Sequence, residues 1–568
     1  MRKSSAWTIF IITMSVFAVA FIYPLSLVIR NGFVGQDGRF TFEYLIGVFK
    51  NPIYLEGLLN SLRLAIGTTF LATLISLPLA WLSNRYTFPG KKWVNALLLV
   101  PMILPPFVGA IGFQQILGQY GVVNSLFGLD IDWLGRGRWM GVILLQSLAL
   151  YPILYLNLSA ALANIDHAME EAAENLGATG WTKFRKITLP LITPGFFAGG
   201  TIVFIWSFTE LGTPLIMNYT RCASVQVYDA LKEIGSNPFP FALVVVMLTV
   251  SVSLYLISKI FFGGQAYAMQ SKAATIFTEK PVTGLKGLLV LSPFVFVISF
   301  ALLPHLGVIL TSFSAPGGWY QSVLPQEWTL NNYTEALGHS MTVSSIRNSL
   351  TFSLLAVMFN LVFGIGIAFV VVRSTIKFRG LLDGLAMMPL AVPGLVMASG
   401  YLAASSRFSN MEVVRNSDWL PHLLDVKTNP ALFLVLAYSI RRLPYMVRSA
   451  VAGLQQTSAS LEEAAANMGA KPLVSLKRIT MPLITANLIA GALLAFSFSM
   501  LEVSDGLMLA QREDFYPITK TIYELFQLIG TGKFIASALG VWAMMFLAVT
   551  LVGSSLLLGK KLGALFRV

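Results

Sequence analysis

Among 568 residues there is one cysteine, Cys222, and only four histidines. A lone cysteine excludes an internal disulfide. His167, His305, His339 and His422 are scattered without ligand-like spacing, so no metal site is expected. No Ser/His/Asp or Cys/His arrangement stands out, which leaves an enzymatic role without positive support. Charge is also scarce: charged residues make up 11% of the chain, against roughly a quarter in soluble domains. Hydrophobic residues make up 56%, with a mean hydropathy of +0.72. No single aqueous core can hide so much apolar surface, so lipid must be the solvent for much of it. Also missing is any G-x-x-x-x-G-K-[ST] phosphate loop. The nearest string, Gly553 to Lys561, has the wrong spacing and lacks the Ser/Thr. No stretch has the composition of a soluble domain.

What is there in quantity is long apolar runs. A helix needs about 20 apolar residues to cross a bilayer. Twelve such runs are predicted, near 7–29, 61–83, 94–117, 139–162, 192–217, 241–262, 286–310, 349–372, 382–405, 430–448, 483–509 and 536–558. Pro152 and Pro444 interrupt the fourth and tenth. Placing the amino terminus inside puts 24 Lys/Arg and 8 Asp/Glu on the inner side and 15 and 18 on the outer, or +16 and −3, matching the net +13. The loop Asn84–Lys92 carries Arg85, Lys91 and Lys92, and its counterpart carries Arg373, Lys377 and Arg379. This is the positive-inside bias of insertion. The excess basic charge therefore reports topology and no nucleic-acid site. Met1-Arg2-Lys3 precedes an apolar run that is too long for a signal peptide and lacks a small-residue cleavage site, so an uncleaved first span is expected.

The chain repeats itself. Asn60-Ser61-Leu62 recurs as Asn348-Ser349-Leu350, and Pro101 with Pro105 recurs as Pro389 with Pro393, at a shift of 288. Pro152 and Pro444 lie 292 apart, as do Glu210 and Glu502, and Pro24 corresponds loosely to Pro304. Six crossings return a chain to its starting side, so a duplicated six-span unit keeps its orientation. The expected architecture is all-α: two parallel six-helix domains, 1–270 and 286–568, joined by an inside linker at 271–285. An axis along the membrane normal relates them, with a passage where they meet.

The most specific signal lies in the loops after the fourth and tenth spans, 166–190 and 458–482. One reads Glu171-Ala172-Ala173, three residues, Gly177, nine residues, Ile187-Thr188-Leu189-Pro190. The other reads Glu463-Ala464-Ala465, three residues, Gly469, nine residues, Ile479-Thr480-Met481-Pro482. Met169, Ala172, Ala173 and Leu176 fall at helical spacing, as do Leu461, Ala464, Ala465 and Met468, so each copy opens with a helix bearing one small apolar stripe. Ser460 and Glu463 have capping-box spacing. Gly177 and Gly469 suit the left-handed position that ends a helix, and Pro190 and Pro482 are expected to stop the second segment. An amphipathic helix lying on the membrane is the plain alternative. Small stripes, acidic first turns and two matched copies favour a protein partner instead.

These two segments resemble the EAA motif of binding-protein-dependent ABC importer permeases, departing only at Met481, where Leu is usual. The resemblance covers nearly the whole chain as a tandem, of the type I importer fold. It implies a multi-pass protein of the bacterial inner membrane with both termini cytoplasmic. It implies two copies of a separate ATP-binding subunit that hold ATP and magnesium, with no cofactor on this chain. It further implies an external, periplasmic or lipid-anchored, solute-binding protein. Glu171, Ala172, Gly177, Glu463, Ala464 and Gly469 would be the coupling residues. A fused chain of this length resembles the ferric-iron type, while permeases for 2-aminoethylphosphonate, thiamine and polyamines stay open. A secondary carrier would also have twelve spans in two parallel halves, but offers no reason for the paired loops.

Ionisable residues inside spans are functional hypotheses by default. Candidates for the path are Thr209, Glu210, Glu502, Ser504 and Asp505, together with Arg441 and Arg442. Counting from Ile192 at ~1.5 Å per residue places Glu210 ~27 Å along its helix, near the outer face. An interfacial carboxylate is the alternative to a path residue there. Arg441 and Arg442 replace the Ala149 and Leu150 of the first half, and snorkelling to the inner interface is the expectation. The alternatives are contact with an anionic solute or a gate pair with an acidic residue. The paired prolines are expected to kink the third and ninth spans as packing geometry.

Overall fold

Inside a bilayer every backbone polar group needs an internal partner, so an apolar chain of this length resolves into helices. The structure, a computed structural model, describes residues 3–35, 37–103, 106–165, 167–231, 238–270 and 279–558. Pro105, Asp166 and residues 271–278 of the expected linker lie outside the described residues. Nine helices among those described are long and apolar enough to cross a membrane. Two more crossings are bent pairs: Lys91–Met102 with Pro106–Phe127, at 96°, and Arg379–Leu390 with Gly394–Ser409, at 100°. These are the third and ninth spans. In the ninth span the break falls at Pro389–Pro393 and turns the chain almost at a right angle, well beyond a kink. The tenth, Ala431–Gln456, has 26 residues but carries Arg441, Arg442 and Arg448, which hides it from hydropathy alone. The fourth, Trp139–Ala163, and the tenth both run unbroken through Pro152 and Pro444.

The two halves pack alike. The second span, Pro52–Arg85, lies along the fourth, and the eighth, Ser340–Arg373, lies along the tenth. The fifth and eleventh cover both pairs. The first spans do something different, because each packs on the last span of its own half and also reaches across to the other half. Ser4–Phe33 packs on the ninth span, where the Tyr401 hydroxyl donates to the Ala20 carbonyl at 2.7 Å. Gly284–Phe313 packs on the third. Glycine makes both contacts possible: a Cβ on Gly112 would sit 2.1 Å from the Pro304 carbonyl oxygen, and one on Gly400 would sit 2.8 Å from that of Pro24. The loose correspondence of Pro24 with Pro304 is thus a reciprocal exchange. Only 22% of the apolar window of Gly284–Phe313 is buried, which leaves Leu285, Leu289 and Phe296 for lipid.

Two further departures from expectation share a cause. Pro190 and Pro482 do not stop their segments: Gly180–Thr209 is one helix of 30 residues, and the second copy runs on likewise to Met500. A π-helical turn precedes each proline, Phe184–Thr188 and Leu476–Thr480, and a third, Ala18–Ile22, precedes Pro24. Each begins six residues before its proline. The wider turn makes room where a proline ring would otherwise strike the preceding carbonyl. Beside these loops, Tyr86–Thr87 pairs in parallel with Lys280–Pro281, and Lys91 Nζ meets Glu279 at 2.7 Å. The end of the linker is thereby clipped to the first half.

Candidate functional site

Two places gather the residues that the sequence singles out. The first is the pair of motif loops. Helices His167–Asn175 and Ala459–Asn467 end in Gly177 and Gly469 at φ +84° and +82°. The Ala178 and Ala470 amides donate back to the Ala173 and Ala465 carbonyls, both at 2.9 Å, closing the helix ends as glycine allows. Glu171, Ala172, Glu463 and Ala464 are exposed, and so are the two glycines. Ala173 and Ala465 are buried, whereas Leu176 and Met468, at matched positions, are each 88% exposed. The predicted apolar stripe is therefore split, with one alanine holding the helix down and a large apolar side chain held out in water. The capping box is displaced: Ser458 is the N-cap, accepting from the Ser460 amide at 3.3 Å, and Glu463 points away.

Glu462, which the motif does not single out, anchors the second helix. Its carboxylate accepts from Arg373 Nε at 3.3 Å and from the Thr480 hydroxyl at 3.1 Å. Arg373 also donates to the Leu454 and Thr457 carbonyls at 3.0 and 2.8 Å. One guanidinium therefore joins the end of the eighth span, the end of the tenth and the first turn of the motif helix. In the first loop Lys183 pairs with Glu174 and holds that exposed carboxyl below its usual range, chiefly by hydrogen bonding.

The second place is a cavity of about 180 Å³ between the halves. The fifth and eleventh spans were expected to run to 217 and 509, but their long helices end at Thr209 and Met500. Short helices Gly212–Ile216 and Ser504–Leu509 follow each break. The breaks meet: a Cβ on Gly212 would lie 2.9 Å from Val503 Cγ1. Thr209, Glu210, Arg441, Arg442, Glu502 and Ser504 all line the cavity, as do Pro101, Pro389 and Pro393 from the broken third and ninth spans. The prolines thus shape a wall, beyond serving as packing geometry.

Arg441 and Arg442 do not snorkel. The tenth helix continues 14 residues past Arg442, so the pair lies ~17 Å from one end and ~21 Å from the other, too far to reach either interface. They turn to carboxylates instead. Arg441 Nη1 lies 2.5 Å from Glu502 Oε1 and 2.9 Å from Asp505 Oδ2. Arg442 Nη2 pairs with the other oxygen of Glu502 and donates to the Phe498 carbonyl at 3.0 Å. Glu502, Asp505 and Arg442 are 5%, 0% and 6% exposed. The acidic pair accordingly lies at the breaks of the fifth and eleventh spans, where Glu502 is buried and Glu210 half-buried at the cavity wall. Unpaired charges here would be expensive, and the network answers that with charge-assisted bonds.

The first half is different. Glu210 accepts from the Thr213 amide at 2.9 Å, with only Ala149 and Leu150 where the arginines stand opposite. Gln146 receives the Thr68 and Ser207 hydroxyls at 3.1 and 2.5 Å, leaving its own buried Nε2 without a partner. Trp206 meets Phe498 across the interface at 6.3 Å, edge to face, and Tyr445 lies 5.2 Å from Phe498. Sequence reading missed Gln146, Trp206, Tyr445 and Phe498, since apolar runs give aromatics no distinguishing signal. It missed Lys520 too. That buried ammonium sits 5.4 to 5.9 Å from the rings of Tyr228, Tyr516 and Tyr523 and 2.8 Å from Glu524. Its place 292 residues after Tyr228 was the available clue.

The model of a family described as the binding-protein-dependent transport system inner membrane component matches residues 72–264 and again 360–558. The ferric transport system permease protein FbpB of Actinobacillus pleuropneumoniae is 27% identical over 81% of this chain and 64% of its own length. A putative ferric transport system permease of Haemophilus influenzae is 26% identical over 82% and 70%. The molybdenum transport system permease protein ModB of Escherichia coli is 30% identical over 35% of this chain and 91% of its own. The chain thus spans about two thirds of the length of its ferric relatives.

Proposed function

We propose, for a chain that belongs to the binding-protein-dependent transport system inner membrane component family, that it is the membrane subunit of an ATP-driven importer with both halves fused in one polypeptide. One observation carries this reading: the family match occurs twice, and each match encloses one exposed motif helix with its large apolar side chain held out in water. Such a side chain is at a disadvantage unless a partner covers it. Two copies of an ATP-binding subunit, one on each motif helix, would meet that need, drawing ATP and magnesium to themselves. The motif loops, and with them both termini, then face the cytoplasm, and a solute-binding protein delivers cargo to the opposite side. Glu171, Ala172, Gly177, Glu463, Ala464 and Gly469 form the docking surface. Closure of the ATP-binding pair would reach the cavity along the helices that rise from these loops, Gly180–Thr209 and its second-half equivalent.

Ferric iron is the cargo favoured by the relatives named above, and Glu210, an acidic position in the passage with no arginine opposite, agrees with a cation. The test is uptake by proteoliposomes holding this chain, its ATP-binding subunit and its binding protein, with radioactive iron supplied outside. Uptake that needs ATP hydrolysis supports the importer. Uptake driven by an ion gradient without the ATP-binding subunit overturns it in favour of a secondary carrier.

A further inference from the structure

The charges around the cavity do not balance. Two guanidiniums, Arg441 and Arg442, face three carboxylates, Glu210, Glu502 and Asp505. Both arginines already face carboxylates of this set, Arg441 through Nη1 and Arg442 through Nη2. Glu210 has a backbone amide for a partner but no cation. With all five groups ionised this network, in which Asp505 is buried beside Arg441 and not at the cavity wall, is one negative charge in excess. Helix ends do not restore the balance, because every break brings both a C-terminal and an N-terminal end to the cavity. The faces of Trp206, Tyr445 and Phe498 add negative potential. The Gln146 side chain adds a further polar group to the same wall.

We infer that the cavity is a transit site for a single small hydrated cation, held between Glu210 of the first half and Glu502 of the second. Arg441 is the resident counter-ion that the cargo displaces. The inference rests on the importer reading for its direction of travel, and it deepens that reading by naming the groups that meet the cargo. The size fits: about 180 Å³ admits an ion with part of its water shell. Among the described residues no three His, Cys, Asp or Glu side chains gather as a chelating set. The cation is therefore bound through water and lightly, as a path requires if cargo is to leave. Arg441 Nη1 bridges Glu502 and Asp505 from one side of the cavity, and its guanidinium lies against Gly394 at the ninth-span break. Rotation of that side chain away from Glu502 would release the carboxylate to the ion while Arg442 keeps its own bond.

The test uses the purified full-length chain in detergent with terbium(III), whose emission Trp206 at the cavity wall can sensitise. Arg441→Gln should lower the half-saturating terbium concentration at least fivefold, while Glu210→Gln should raise it at least fivefold. Trp206→Phe should remove most of the emission. Terbium binding unaffected by Glu210→Gln, or weakened by Arg441→Gln in a variant that elutes as a single species, would overturn the proposal. If Arg441→Gln does not elute cleanly, Glu210→Gln in the otherwise unchanged chain decides alone, since Glu210 is in no ion pair. No ATP-binding subunit is present, so a negative result leaves the importer standing, and failed ATP-driven uptake leaves the cation site standing.

Discussion

Neutralising one member of the network in the tenth and eleventh spans should destabilise the protein far more than neutralising a matched pair. Arg442 and Glu502 have side chains 8% and 6% exposed, so solvent screens their attraction little. Glu502→Gln leaves two guanidiniums sharing Asp505, and Arg442→Gln leaves two carboxylates sharing Arg441. Removing one partner of a buried pair costs about 3–5 kcal/mol, because the other charge stays buried. In the double variant the Arg441–Asp505 contact at 2.9 Å survives and the local charge is again zero. Its loss should be well below the sum of the singles, with a coupling of roughly 2–3 kcal/mol. The measurement is unfolding in mixed micelles of rising SDS fraction, followed by tryptophan fluorescence, for the four proteins of the cycle. Additive losses, or single variants as stable as the parent, would refute the claim that these charges hold one another in place.

Glu171→Lys with Glu463→Lys should abolish co-purification with the ATP-binding subunit while leaving membrane insertion intact, and normal recovery of the complex would exclude the docking role. Arg373→Gln removes four hydrogen bonds that tie the second motif helix to the eighth and tenth spans. At about 1.5–3 kcal/mol for bonds to a charged group, amide exchange in Ala459–Asn467 should quicken roughly ten- to hundredfold; unchanged exchange would show that the helix is held by other means. Gly112→Ala drives a methyl against backbone of the seventh span, and should cost at least the 1–3 kcal/mol typical of overpacking. Gly384→Ala, with nothing within 4 Å, should be neutral or slightly stabilising in the same unfolding assay.

How far the fold could be read in advance depended on which residues carried a signal. Eleven of the twelve expected crossings and the duplication were legible because apolar length and the 288 and 292 shifts are properties of sequence alone. The motif loops were legible to the glycine, since only a left-handed end asks for Gly177 and Gly469. The breaks after Thr209 and Met500 were not, because the residues around them stay apolar and periodicity does not register a change of direction. Arg441 and Arg442 were misplaced for a related reason. The apolar run stops near 448, whereas the helix continues to Gln456 as its surface turns polar. A boundary drawn from hydropathy put the arginines at an edge, and the partners that hold them mid-span lie some 60 residues away.

The exchange of first spans has a bearing on how the chain is made. Gly112 is synthesised 192 residues before Pro304, the backbone it must lie against. At about 5–20 residues per second, the third span waits roughly 10–40 s in the membrane with its glycine face uncovered. The ninth span never waits, because the first has been in place since the beginning and stands ready with Pro24 when Gly400 emerges. The first half therefore cannot finish folding on its own schedule, and the second completes both. Joining the halves in one polypeptide guarantees that the missing seventh span arrives at the same translocon, in equal number, within that interval.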